Sequence, residues 1–359
     1  MKIDFLILGQ GLAGSMLAWE LMQRDCKVMI IDNAQENASK VAAGLINPIT
    51  GMRFAKSTDV DTLLPTALTF YARLANFFGQ DFYHEKPLVR IFRSHEELMN
   101  CQKRFNQTEY QRYLADMAKP GQHINNISTP FGFLEQKQTG YLATRPLLSS
   151  FKHYFLAHQC YRQVEFDYQA IQLSPDLRWL DISPEQIIFC EGYHAGKNPW
   201  FSWLPLQAVK GEILTLQHSS QFPDKMLNFG NWLIPVTIQQ IRLGASFDHY
   251  PINDEITLQA RTHLLASLNT ITRLDQATVI SQQAGIRPCT KDRQPFIGRH
   301  PGHPQLTIFN GFGAKGSLQI PWYVQHFADS LLKKTPLLKT CDIQRHEAPF
   351  TDPRSSFAH

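Results

Sequence analysis

Apolar runs along the chain predict strands of two different kinds. The runs Ile3–Leu8 and Leu306–Phe309, and the one that ends at Gly192, are short and mostly apolar, and Lys27–Ile31 predicts a further strand. Apolar runs of this length are typical of strands buried on both faces of a parallel sheet. Three later runs, at 209–217, 231–238 and 241–247, are separated by turns and predict an antiparallel sheet.

Amphipathic segments between these runs predict helices. Ser94 and Glu97 form a capping-box pattern at the start of one of them. The other predicted helices are Pro65–Phe78, one from about Arg145, one over 256–271, and a long one after the last strand. The chain therefore combines a parallel, helix-connected part with an antiparallel part.

The stretch Lys2–Asp32 reads strand, glycine turn, helix, strand, acid. In the turn "GQGLAG", Gly9 permits the tight bend, Gly11 lets the backbone approach a pyrophosphate, and Gly14 lets the helix pack on the strand. The helix N-terminus offers free N–H groups and a positive dipole end to phosphate. This pattern predicts dinucleotide binding; the alternative is a glycine-rich turn in an unrelated α/β protein.

Asp32 refines the prediction. It follows the second strand at the spacing of the acid that accepts hydrogen bonds from a ribose 2′-hydroxyl. The same carboxylate would repel a 2′-phosphate, which disfavours NADP. The motif alone leaves FAD and NAD open.

The segment Asn37–Gly51, "NASKVAAGLINPITG", is small, glycine-containing and weakly polar. One interpretation is a backbone laid along a planar cofactor, where larger side chains would be in the way. The other is an ordinary buried turn.

Composition limits the class of protein. A chain of 359 residues with 43% apolar and 18% charged residues is globular and long enough for about two domains. The formal net charge of +4 permits an anionic ligand but does not demand nucleic acid. The six cysteines form no CxxC pair and no zinc spacing, so we expect reduced thiols and no metal. No apolar run approaches a membrane span, and we expect a cytoplasmic protein.

Several motifs, in one order, resemble the D-amino-acid oxidase/glycine oxidase family of FAD-dependent amine oxidoreductases, closest to the glycine oxidase branch. They are "GQGLAG" with Asp32, "AAGLINP", "GYLATRPLL", "IIFCEGYHA", "LQAVKGEIL", "NWLIPV", "RLGASF", "GIRPCTKDRQPFIG" and "NGFGAKGS". The most specific pair is the "RPxTxDxxPxIG" pattern followed by a glycine loop. The resemblance covers nearly the whole chain and implies FAD as the cofactor.

The family's fold implies a Rossmann-like FAD-binding domain built from discontinuous segments, and an antiparallel-sheet substrate domain that caps the flavin. We expect the FAD-binding domain at 1–80, 141–200 and 285–345. We expect the substrate domain at 81–140 and 201–284, and a tail at 346–359.

The resemblance also implies the cofactor contacts. Matching positions would contact each part of FAD. They are, for the pyrophosphate, Gly9, Gly11, Leu12, Ala13 and Gly14; for the adenosine ribose, Asp32; for the isoalloxazine ring, Ala42, Ala43, Gly44, Leu45 and Ile46; for the adenine side, Val164, with Gly192 in a turn over the cofactor; and for the flavin pyrimidine, Gly311, Phe312, Gly313, Ala314, Lys315, Gly316 and Ser317.

Arg287 matches the arginine that holds the substrate carboxylate above the flavin, and a planar guanidinium suits bidentate carboxylate binding. The alternative for Arg287 is a surface salt bridge to Asp292. Trp232 stands where glycine oxidases have a substrate-contacting tyrosine, which leaves the substrate open. Gly285 stands where sarcosine oxidase relatives carry a flavin-linking cysteine, so we expect non-covalent FAD.

The resemblance thus implies an oxidase or dehydrogenase of a small primary or secondary amine or amino acid, with hydride transfer to flavin N5. The electron acceptor, O2 or another, and the oligomeric state stay open. One alternative is an FAD-dependent enzyme that removes a carboxymethyl group from a wobble-uridine amine in tRNA, although no basic cluster favours nucleic acid. Another is a flavin-binding protein without turnover.

Overall fold

The computed structural model describes residues 1–219, 222–272 and 277–346. The expected tail at 346–359 therefore lies, apart from its first residue, outside the described residues. The chain divides into two compact units. The first unit comprises Met1–Lys40, Thr144–Val209 and Ile286–His359, and the second comprises Val41–Ala143 and Lys210–Gly285.

The described residues form 21 strands and seven α-helices. The strands are β1 (Lys2–Leu8), β2 (Val28–Asp32), β3 (Leu45–Ile46), β4 (Ile49–Thr50), β5 (Ala55–Lys56), β6 (Tyr83–Glu85), β7 (Leu88–Ile91), β8 (Leu114–Ala118), β9 (Phe133–Gln136), β10 (Gly140–Leu142), β11 (Tyr161–Gln163), β12 (Ile171–Gln172), β13 (Arg178–Trp179), β14 (Ser183–Phe189), β15 (Leu206–Gln217), β16 (Met226–Asn228), β17 (Trp232–Thr237), β18 (Gln240–Gly244), β19 (Thr278–Thr290), β20 (Phe296–Arg299) and β21 (Leu306–Asn310). The helices are α1 (Leu12–Met22), α2 (Ala38–Val41), α3 (Val60–Phe78), α4 (His95–Phe105), α5 (Thr144–Ala157), α6 (Leu258–Asn269) and α7 (Gly316–Lys333).

The first unit is built on a six-stranded sheet of order β11-β2-β1-β14-β21-β20. Its strands pair in parallel except at β20, which is antiparallel to β21. The apolar runs explain the position of the central strands, since Leu6 and Ile7 of β1 and Ile30 and Ile31 of β2 are fully buried. Helix α1 packs on this sheet and against α7. Since α1 follows β1 in the chain, it begins at the carboxyl ends of the parallel strands.

The second unit is built on an eight-stranded sheet of order β19-β15-β18-β17-β16-β7-β9-β8. Alternating residues separate its two faces, as a period of two requires. Leu214, Leu233 and Leu243 point to one face, where they form a core with Leu264 and Leu268 of α6. The opposite face carries a smaller apolar cluster that includes Leu88, Met226, Ile234 and Trp232.

The mixed α/β fold with a parallel and an antiparallel sheet is confirmed, and local details differ. The capping box predicted α4 correctly, since the Ser94 hydroxyl accepts the Glu97 N–H at 3.2 Å. Strands β11 and β12 are short and separate, because a 3-10 turn lies between them. Gly285 lies inside the long strand β19.

The units also divide the chain differently from the expected domains. Residues 41–80, expected in the FAD-binding domain, belong to the second unit. The reason is packing, because Ala43 is buried in the apolar cluster of the second unit's sheet. The other boundaries lie at 143/144, 209/210 and 285/286, against the expected 140/141, 200/201 and 284/285.

Candidate functional site

The segment from the end of β1 into the first turn of α1 requires glycine at two positions. Gly9 has a φ of +102°, and a Cβ there would lie 2.5 Å from the carbonyl oxygen of Cys190. A Cβ on Gly14 would collide with the carbonyl oxygen of Gly9, so α1 packs directly on the turn. Both glycines thus have the packing roles that the motif predicted.

Gly11 differs from these two because its own backbone is ordinary. It is the N-cap of α1, with φ −77° and no side-chain cap, and the first turn of the helix has no acidic residue. The Leu12 N–H donates to the Ser39 hydroxyl at 3.0 Å. A helix N-terminus without an acidic cap, lined by a hydroxyl, suits a phosphate group.

Asp32 ends β2 beside this turn and is buried. Its two carboxylate oxygens accept the N–H groups of Gln10 and Ala34, at 2.8 and 2.7 Å. Each ionised oxygen can accept more than one hydrogen bond, so a ribose hydroxyl is still compatible with the site. The backbone carbonyl of Asp32 also accepts the Val164 N–H at 3.1 Å, and the Val164 side chain is 41% exposed.

The glycine loop before α7 lies beside the end of β19. A Cβ on Gly311, whose φ is +82°, would lie 2.8 Å from Cγ2 of Thr290. A Cβ on Gly313 would lie 3.3 Å from the Cys289 sulfur. Residues 311–317 are thus held against the strand that carries Arg287, and α7 begins within the loop at Gly316.

Asn310 joins this loop to another predicted position. Its side-chain amide donates to the Gly192 carbonyl at 2.8 Å, and its side-chain oxygen accepts the Gly311 N–H at 2.8 Å. The carboxyl ends of β14 and β21 therefore lie side by side with that of β1. Open parallel sheets bind ligands at the carboxyl ends of their strands.

Arg287 is half-buried near the end of β19. Burial raises the pKa of the Cys289 thiol, and the positive charge of Arg287 partly offsets this. Asp292, the alternative partner for Arg287, is bound by Arg345 at 2.7 Å. On the same strand, Cys289 and Thr290 pack against Gly313 and Gly311, so Arg287 lies two residues before the contact with the glycine loop.

Lys315 is a poorly solvated cation in the glycine loop. Burial lowers its pKa, and the charge of Arg293 lowers it further. The Lys315 side chain is thus half-buried just before α7.

The predicted isoalloxazine loop, Ala42–Ile46, belongs to the second unit. Gly44 has a φ of +69°, and a Cβ there would collide with the carbonyl of Leu142. The Leu142 N–H donates to the Gly44 carbonyl at 2.9 Å. The backbone of the loop is thus paired with that of β10.

Trp232 lies on β17, directly across from Gly244 on β18. A Cβ on Gly244 would meet the indole, with Cη2 of the ring 2.9 Å away. The ring therefore lies flat on the neighbouring strand, on the face that also carries Ile234.

The second unit also contains a cavity of about 850 Å³. Its walls include Glu212, Phe229 and Ala260. Glu212 lies two residues before Leu214 on β15, so both side chains point to the same face. This is the face that packs on α6, opposite to the face of Trp232. The volume of this cavity is thus not the space next to Trp232.

Sequence reasoning missed four residues at these positions. Gln10 is buried, with its side-chain amide 2.9 Å from the Leu148 carbonyl. Glu191 accepts hydrogen bonds from Tyr168 and from Asn198 beside the Gly192 turn. The other two are Ser39 and Arg242. All four lie inside motifs or segments that the sequence singles out, but no pattern marked their side chains.

The donor set of the first unit fits a dinucleotide. It combines an uncapped helix N-terminus, glycines that no side chain can replace, and a carboxylate at the end of the second strand. The match of the chain to known proteins decides which dinucleotide this is.

The DAO family, described as FAD dependent oxidoreductase, matches residues 4–330. The chain belongs to this family. Its cofactor is therefore FAD, and it is an FAD-dependent oxidoreductase, as the family resemblance implied.

Individual relatives and solved structures are similar to this DAO-family member to different extents. The tRNA 5-methylaminomethyl-2-thiouridine biosynthesis bifunctional protein of Acinetobacter baylyi is 24% identical over 336 residues, 88% of this chain and 51% of the relative. Glycine oxidase of Pseudomonas putida is 31% identical over 137 residues, 38% of each chain. The structure of glycine oxidase from Geobacillus kaustophilus superposes with a TM-score of 0.81 at 19% identity, over 94% of this chain and 96% of that one.

The chain thus spans about half the length of the bifunctional relative. In the part of this chain that the structure describes, no helix is long and apolar enough to cross a membrane. Over the same residues, no group of three or more His, Cys, Asp or Glu side chains could hold a metal ion. All six cysteines are free thiols.

Proposed function

We propose that the protein oxidises a small primary or secondary amine that carries a carboxylate, with FAD as the electron acceptor. The observation that carries the proposal is the position of Arg287, on the strand that holds loop 311–313 in place. In this family the cofactor is FAD, and a glycine loop next to a cationic strand suits a flavin and an anionic substrate together.

Arg287 supplies binding and orientation. Its planar guanidinium can hold a carboxylate through two parallel hydrogen bonds, which fixes the direction of the neighbouring Cα–H bond. Asp292, the other carboxylate considered for Arg287, accepts a hydrogen bond from Arg345. Orientation of this kind can supply several kcal/mol of the barrier reduction.

When bound, FAD would supply a two-electron oxidant: the Cα–H bond breaks with loss of a hydride, the amine nitrogen forms a C=N bond as an iminium ion, and water hydrolyses this ion to an oxo acid and a protonated amine. The α7 N-terminus and the Lys315 ammonium would stabilise negative charge nearby. Both are properties of loop 311–317, where burial leaves Lys315 poorly screened by water.

Trp232 would limit the substrate's size. The indole covers Gly244 and fills space on its sheet face that a tyrosine would leave partly open. We therefore expect substrates with a small or absent Cα substituent.

A second candidate is the removal of a carboxymethyl group from an amine of a wobble uridine in tRNA. Its support is the tRNA-biosynthesis relative, which matches 88% of this chain, whereas the glycine oxidase relative matches 38%. The two candidates share one chemistry, because an N-carboxymethyl amine is an N-substituted glycine. An arginine that holds the glycine carboxylate suits both.

Anaerobic bleaching of the flavin absorbance tests the proposal and separates the candidates. The purified protein is mixed with glycine, sarcosine and other N-alkyl glycines, and separately with tRNA that carries the carboxymethylaminomethyl group. Reduction by free N-alkyl glycines supports the first candidate, and reduction by the tRNA alone supports the second. A flavin that no carboxylated amine reduces would contradict both.

A further inference from the structure

Arg242 on β18 binds the start of the predicted isoalloxazine loop. Its guanidinium donates to the Val41 carbonyl at 2.7 Å and to the Ala42 carbonyl at 3.3 Å. The two carbonyls belong to successive residues, so one planar group fixes the orientation of the peptide between them. Charge-assisted hydrogen bonds of this kind are about twice as strong as neutral ones.

The register of the sheet explains why Arg242 reaches this segment. Arg242 pairs with Ile234, and Gly244 pairs with Trp232, so the four residues share one pair of strands. Residues 241 and 243 point into the α6 core, which turns Arg242 to the opposite face. On that face Ala43 packs on Ile234 and its neighbours.

Three separate contacts therefore hold residues 41–44 on the second unit. Arg242 binds the first two carbonyls, the apolar cluster buries Ala43, and β10 pairs with the backbone of Gly44. Of these, only the Arg242 contact depends on one long, substitutable side chain.

We propose that Arg242 is a positioning residue that fixes the backbone of residues 41–44, and through it the surface that the isoalloxazine ring meets. The link to the flavin rests on the proposed function, whereas the anchoring itself does not. Arg242 would act through the loop and need not touch the substrate.

Limited trypsin digestion of the FAD-free protein tests the anchoring. Trypsin cleaves after Lys40, and this bond can enter the protease only when the segment opens locally. The test variants are Arg242→Met, which loses both hydrogen bonds, and Arg242→Lys, which keeps the charge but not the fork. Arg261→Met, on the exposed side of α6, is the matched control. Cleavage after Lys103, on the exposed side of α4, is the internal reference that corrects for protease activity.

We expect cleavage after Lys40, relative to Lys103, to rise roughly tenfold in Arg242→Met, with a smaller rise in Arg242→Lys and none in Arg261→Met. In the reconstituted proteins, the same order should appear in the FAD dissociation constant and in the shape of the flavin absorbance band. Faster cleavage with unchanged flavin properties would overturn the link to the flavin. Unchanged cleavage would overturn the anchoring. A wild type that binds FAD but oxidises no amine would contradict the proposed function and leave both of these readouts intact.

Discussion

The indole of Trp232 lies over the Cα of Gly244 on the neighbouring strand, so that the tryptophan occupies the space of the missing side chain. The tryptophan ring fits here only because its cross-strand partner is glycine. Together the two residues close part of the sheet face.

Gly244→Ala should displace this tryptophan, because the new methyl group would overlap the indole. Overpacking of this kind costs about 1–3 kcal/mol, and thermal unfolding should show the loss. The double variant Gly244→Ala with Trp232→Leu removes the overlap and should recover part of the stability. Equal destabilisation in the single and the double variant would show that the indole is not the cause.

Gly11→Val should abolish FAD binding with little loss of stability of the FAD-free protein. Gly11 has an ordinary φ, and the nearest atom to a Cβ there is the Ser39 oxygen at 3.2 Å. The side chain would nevertheless fill the approach to the α1 N-terminus. The readouts are flavin absorbance after purification and the rise in melting temperature on adding FAD, which wild type should show by linkage.

Gly196→Val is the matched control for that experiment. Gly196 belongs to the same unit, is exposed, and a Cβ there would lie 4.0 Å from its nearest neighbour, Leu206. It should bind FAD like wild type. Full flavin content in Gly11→Val would mean that the pyrophosphate binds elsewhere.

FAD should leave the protein on acid precipitation. The strand β19 carries Gly285 where covalently flavinylated relatives carry the linking cysteine, and glycine offers no group to form the bond. Yellow colour in the supernatant, and an unmodified mass for the precipitated chain, are the expected results. Flavin that stays with the pellet would identify a linkage through another residue.

Glu191 should make the FAD-free protein less stable as the pH rises from 5 to 8. Burial raises the pKa of its carboxyl group to about 7, against hydrogen bonds from Tyr168 and Asn198 that favour the ionised form. Because this pKa lies above that of the unfolded chain, the folded protein binds the extra proton. The contribution to stability is complete below about pH 4.5 and is lost as the pH passes 7.

Glu191→Gln should remove this dependence. The difference in unfolding free energy between wild type and variant should change by roughly 1–3 kcal/mol between pH 5 and pH 8, to the disadvantage of wild type at pH 8. Glu185→Gln, at an exposed position of β14, is the control and should run parallel to wild type. Parallel curves for Glu191→Gln as well would show that the carboxyl titrates normally.

The parts of the site that sequence predicted are those with local signals. Gly9 and Gly14 are read from the strand–turn–helix pattern, and the structure gives each a steric reason to be glycine. Asp32 follows from its spacing to the same turn. These features depend on neighbours within about 30 residues, which periodicity and turn chemistry describe well.

The parts that sequence missed depend on contacts between distant segments. Gln10 reaches Leu148 across 138 positions of sequence, and Arg242 reaches Val41 across about 200. Residues 41–80 join the second unit because Ala43 packs on strands far along the chain. No pattern within one segment encodes such contacts, since they follow from the packing of the whole unit.

The most direct test of the proposed function is anaerobic flavin reduction by Arg287→Ala with the best carboxylated amine. Removing one partner of a buried, charge-assisted contact costs roughly 2–4 kcal/mol, which is about 30- to 1,000-fold in kcat/KM. Flavin content should stay at the wild-type level, Arg287→Lys should recover only part of the loss, and an amine without the carboxylate should be oxidised equally by wild type and variant. Unchanged reduction by the carboxylated amine in Arg287→Ala would contradict the assignment of Arg287 to the substrate.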